Sequence, residues 1–155
     1  ALFLTYFVME PVFVEAWMTG IKPFTEGSME ANQAFTLALA PFRAFMAARI
    51  DPGTFTDLAA LRALPGAGIA TLTPDAPLSV LVPSFLLSEI ERAFEIGFLI
   101  FLPFLIIDLV VAAILMSMGM MMVPPAIVSM PFKLAFFVVA NGWTLLAGAL
   151  VRSYV

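Results

Sequence analysis

The chain has 155 residues, of which 63% are hydrophobic and 12% charged, and a formal net charge of −4; its mean hydropathy is +1.07. That balance suits lipid or other apolar helices as solvent rather than water. It contains no histidine and no cysteine, which removes the commonest general base, Ser-His and Cys-His nucleophile pairs, disulfides and thiolate metal sites.

The seven basic residues are spread from Lys22 to Arg152, so they form no footprint for a phosphate backbone, and a nucleic-acid partner is not expected. The chain opens Ala1-Leu2-Phe3, without an initiator methionine or a basic n-region. That is not how a signal peptide begins, and the expectation is that processing or truncation removed what came before.

Residues 1–18, "ALFLTYFVMEPVFVEAWM", read as the end of a hydrophobic helix. Glu10-Pro11 interrupts it, and the run before that point is too short to span a bilayer by itself. Residues 19–77 have an ordinary composition and carry nine of the eighteen charges, four basic and five acidic. They are read as a polar-faced helical insert. Within it, Phe35, Leu39, Phe42 and Met46 recur at helical spacing over Ser28 to Arg49, with Pro41 as a kink. A second short helix, Thr54 to Leu64, follows the breaker Asp51-Pro52-Gly53 and stops at Pro65-Gly66.

Residues 78–155 read as a hydrophobic helical hairpin. The apolar stretch from Leu78 to Val123 would run to about 70 Å as one helix, far beyond a hydrocarbon core of about 30 Å. Breaks are therefore expected at Pro83 and Pro103, each of which removes a backbone donor, with a restart at the Ser88-x-x-Glu91 capping box. Pro124 and Pro125 close the stretch, and Phe132 to Tyr154 supplies the return helix, with Pro131 near its first turn. The tip is "MSMGMMM", which places five methionines in the seven positions from Met116 to Met122. Methionine is unbranched and polarizable, so a dense group suits a surface that must touch variable partners.

Charges in this half are few. Glu89, Arg92 and Glu95 stand at i, i+3 and i+6, with Glu91 nearby, so Arg92 can reach a carboxylate on either side along one helix face. Either these charges neutralise one another at a helix end, or they form an inter-subunit ion-pair network or ion path. Asp108, in "FLIIDLVV", has no solvated face and must be paired or protonated. Reflecting the hairpin about Pro124-Pro125 sets it opposite Asn141; the alternative partner is Lys133 on a neighbouring chain. No H-E-x-x-H, P-loop, G-x-S-x-G or dinucleotide fingerprint occurs, and Gly66-Ala67-Gly68 reads only as a loop. Neither an enzyme nor a cofactor is expected.

Taken in order, "SEIERAFEIGFLIFLPFLIIDLVVAAILMSMGMMMVPP" and "MPFKLAFFVVANGWTLLAGALVRSY" closely resemble the FliP/SctR family of type III export-gate proteins. "LFLTYFVMEPV" and "PFRAFMAARIDPGTFTDLAAL" extend the resemblance over essentially the whole chain. The family usually has lysine where this chain has Glu91, glutamine where it has Glu95, and aspartate where it has Asn141. Its members also begin well upstream, with a signal peptide and a further hydrophobic helix, which implies that this chain is a fragment.

The resemblance implies an all-α, membrane-associated oligomer subunit. With FliQ-like and FliR-like proteins it would form the entrance of an export channel for unfolded flagellar proteins, in the bacterial inner membrane at the flagellar basal body. Several copies would assemble, and Gly119, Met120, Met121 and Met122 would line the constriction. "MMVPP" and "PFKL" favour the flagellar branch over the injectisome branch. A gate for unfolded chains must exclude water yet mould around any side chain, and methionine meets both demands. A stand-alone proton or ion channel using Glu89, Glu95 and Asp108, and a plain membrane anchor, are the readings of a different class.

Overall fold

A computed structural model describes residues 2–62 and 70–154. Among these every regular element is helical. The expected stop of the second insert helix at Pro65-Gly66 and the loop at Gly66-Ala67-Gly68 lie outside the described residues. The chain divides into two compact units, Ala1–Ala93 and Phe94–Val155.

In the first unit, α1 (Leu2–Ala16) runs through Pro11 without a break, then loosens into one π-helical turn, Trp17–Ile21, and tightens again as α2 (Lys22–Thr25). Glu10-Pro11 therefore does not interrupt the helix. Leu2–Thr25 together is long and apolar enough to cross a membrane, unlike the short run before Pro11 considered alone.

α3 (Ala31–Arg49) packs against α1 and the π turn. The approach is close because Gly20 faces it: a Cβ there would lie 2.6 Å from both the Ala34 carbonyl oxygen and the Ala38 nitrogen. Phe13 and Phe42 meet edge to face at 5.8 Å beside this crossing. Pro41 sits inside α3 as expected. Lacking an N–H, it leaves the Leu37 carbonyl without its usual donor. The Thr19 hydroxyl, which donates to Glu15 O at 2.8 Å, also comes within 3.4 Å of that oxygen.

Asp51 starts α4 (Pro52–Arg62): its Oδ2 accepts the Thr54 backbone N–H at 2.8 Å, and Pro52 fills the first helical position. α4 brings Phe55 and Ala59 into a core with Ile50, Ala76, Val80 and Leu81, against which Met46, Leu58 and Phe85 pack. Arg43 holds the segment before α5 by donating to the carbonyls of Pro74 and Ala76 at 3.2 and 3.1 Å.

α5 is one helix of 40 residues, Leu78–Ser117, about 60 Å long and so roughly twice a hydrocarbon core. The breaks expected at Pro83 and Pro103 do not occur. At Pro83 the reason is visible: the carbonyl it would orphan is that of Ser79, and Arg62 donates to it at 3.0 Å. The helix restart at Ser88 is also absent. Ser88 is buried in mid-helix, where its hydroxyl donates to Ser84 O and accepts the Asp51 N–H, both at 2.9 Å.

In the second unit, α5 ends in a Schellman motif. Gly119 takes φ +74°, Gly119 N–H donates to Met116 O at 3.1 Å, and Met120 N–H donates to Leu115 O at 3.0 Å. α6 (Pro125–Val139) returns antiparallel to α5, with Phe104 against Phe136 and Phe137. The return is not one helix from Phe132 to Tyr154. It begins at Pro125, takes Pro131 into its interior, and stops at Asn141, whose φ of +50° is left-handed. α7 (Gly142–Arg152) then leaves at 61° to α6. Gly142 allows the bend, since any Cβ there would overlap the Phe137 ring, which itself stacks edge-on with Trp143 at 5.3 Å.

Candidate functional site

The methionine tip lies where the sequence places it, in the turn between α5 and α6. Met116 falls in the last turn of α5, and Met118 to Met122 form the connection. The Val123 N–H donates to Met120 O at 3.3 Å, closing a tight turn around Met121 and Met122. Met120 is 41% exposed, Met121 84% and Met122 97%. The Gly119 conformation is one that L side chains rarely adopt, while Pro124 and Pro125 prevent the loop from joining α6 as continuous helix. The loop is therefore fixed at both ends and presents thioethers in between.

About two and a half helical turns before the end of α5, Asp108 holds α5 to α6. Its Oδ2 pairs with Lys133 Nζ at 2.6 Å, and its Oδ1 accepts from the Ser129 hydroxyl at 2.5 Å. Asn141 is thus not its partner, and Lys133 reaches it within the same chain. The proposed reflection axis was misplaced. The midpoint of Asp108 and Lys133 falls between Met120 and Met121, so the methionines are the tip, and Pro124-Pro125 belongs to the returning limb. In apolar surroundings a carboxylate is tolerated when an opposite charge and a hydroxyl take its lone pairs. Ser129, fully buried, was not singled out from the sequence. Its signal was the i, i+4 spacing to Lys133, which puts both on one helix face.

The first unit contains a second charged group. Glu89 Oε1 is 2.7 Å from Arg49 Nε and 3.8 Å from Arg92 Nη1, and Arg92 Nη2 donates to Arg49 O at 3.4 Å. The expected Glu89–Arg92 contact is present, but Arg49, which sequence reasoning passed over, makes the shorter one. Arg49 lies in the last turn of α3, where a cation is favoured by the helix dipole. Glu91 and Glu95 are exposed, and Glu95 lies in the second unit. Among the described residues no group of His, Cys, Asp and Glu is arranged to hold a metal ion.

Two helices are long and apolar enough to cross a membrane, or three if α6 and α7 together make one bent span. The molecule is thus an all-α, membrane-associated protein with an apolar hairpin, a methionine tip and one charged clasp. Comparison with known proteins makes this specific: residues 1–150 match the model of the FliP family, and the chain belongs to that family. It is 51% identical over 154 residues to a flagellar biosynthetic protein FliP of Caulobacter vibrioides, covering 99% of this chain and 57% of the relative. To the protein of that name in Agrobacterium fabrum it is 49% identical over 158 residues, covering 99% and 62%. To that of Bacillus subtilis it is 42% identical over 154 residues, covering 99% and 68%. The chain therefore spans about three fifths of the first two relatives' length.

Proposed function

We propose that the chain is part of a core subunit of the flagellar type III protein export gate, with Met120, Met121 and Met122 as the compliant seal of its channel. The observation that carries this reading is the exposed methionine turn, closed by Gly119 and Pro124, in a chain matched to the FliP family along nearly its whole length. The role is structural and electrostatic, with no catalytic step. Several copies, together with FliQ-like and FliR-like proteins in the inner membrane at the basal body, would cover the apolar helix faces. An ion path through the acids is disfavoured, because Glu89 and Asp108 are both committed to cations.

Two measurements test this. Native mass spectrometry of the full-length protein, extracted in mild detergent, should find a multi-copy complex containing two other small hydrophobic proteins. A lone monomer or a pure homo-oligomer, stable across detergents, would refute the assembly. Met120, Met121 and Met122 replaced together by alanine should raise ion leakage through the membrane while secretion of flagellar proteins continues. An unchanged leak would refute the seal.

A further inference from the structure

The same loop has a chemistry that softness does not use. A thioether is readily oxidised to a sulfoxide, which turns a flexible apolar side chain into a polar, chiral one. The chain has no cysteine to react first. Of its ten methionines, Met122 and Met121 are the most exposed, while Met9, Met29 and Met46 are half-buried and Met46 packs on the core of the first unit. Met121 and Met122 are thus the least protected thioethers of the chain, and Met120, 41% exposed, adjoins them in the same turn.

We infer that Met120, Met121 and Met122 form a reversible oxidation site that controls how well the loop excludes water; this rests on the seal proposed above. In each step a peroxide transfers one oxygen atom to a methionine sulfur. The O–O bond breaks and an S–O bond forms. Sulfur loses two electrons, and the peroxide is reduced to water or an alcohol. The sulfoxide oxygen is a strong hydrogen-bond acceptor, so three in succession on every copy replace a dewetting surface with one that holds water. Methionine sulfoxide reductases, one for each epimer, restore the thioether and with it the seal.

The test uses the complete export-gate complex in liposomes, treated with graded hydrogen peroxide. Peptide mass spectrometry should show the loop methionines oxidised before Met9, Met29 and Met46. Ion flux should rise about tenfold as they react and fall back after treatment with both reductases. The variant with Met120, Met121 and Met122 replaced by leucine, whatever its flux before treatment, should show no change with peroxide; a rise equal to that of the wild type overturns the inference. Wild-type complex that stays sealed with its loop fully oxidised, alongside an alanine variant that leaks, overturns this inference and leaves the seal standing. An alanine variant that does not leak overturns both. A flux rise that the reductases do not reverse overturns the inference without reference to any variant.

Discussion

Within Ala1–Ala93, Phe55, Val80 and Leu81 are buried among the unit's own helices, and arginines close its loose carbonyls. Among the described residues of Phe94–Val155 the buried apolar side chains are Val111 and Leu115, while Phe94, Phe98, Ile106 and Trp143 stand exposed. The two units differ in what they close internally. The first closes a small core around Phe55 while α1 leaves Leu2, Phe3 and Phe7 exposed; the second is folded around a charged clasp and leaves nearly all of its apolar surface to be covered by lipid or protein. High hydropathy therefore does not by itself mark a core, since the more apolar unit buries less.

The largest expected contrast lies between two phenylalanines. Phe55→Ala should destabilise the chain in detergent by about 3–5 kcal/mol, because it opens a cavity in a closed core. Phe98→Ala should change it by no more than about 0.5 kcal/mol, although Phe98 is as large. Equal losses in denaturant titrations would erase the distinction between the units.

Two glycines sharpen the contrast on a smaller scale. Gly20→Val must push α3 off the π turn, where a Cβ would meet backbone atoms, at a cost of about 1–3 kcal/mol. Gly97→Ala meets nothing within 4 Å and should stabilise α5 by up to about 1 kcal/mol. Thermal unfolding of the two variants should shift in opposite directions.

The smallest effect concerns the continuity of α5. Arg62→Met withdraws the donor from the Ser79 carbonyl and should cost about 1 kcal/mol. In a Pro83→Ala background the helix supplies its own N–H to that carbonyl, so the same change should cost almost nothing. A double-mutant cycle with no coupling would show that Arg62 does not complete the ladder.

These cases also show how far the sequence could be read. α3 and α4 followed from apolar spacing and from the Asp51-Pro52-Gly53 breaker, since those signals are local. The methionine turn was equally legible. Pro83 was not, because whether a missing donor breaks a helix depends on what else reaches the orphaned carbonyl, and Arg62 lies in another helix; nothing in the structure explains why Pro103 leaves α5 unbroken. Ser88 fitted a capping pattern, but burial against Asp51 decided its role. Lys133 was in view as a partner of Asp108 only on a neighbouring chain, because the hairpin axis was set at the prolines instead of between Met120 and Met121. The α6–α7 bend was in view as Asn141-Gly142, a turn dipeptide, and was overlooked inside an otherwise apolar run.

The ends of the methionine loop differ in kind. Gly119 stops α5 by permission, adopting a backbone that other residues resist, and Pro125 starts α6 by prohibition, since it has no N–H to carry a helix backward. Between such boundaries, substitutions or even an added residue have no means of shifting the Asp108–Lys133 register. The loop is thereby insulated: its size and polarity can change while the frame that holds it stays in step.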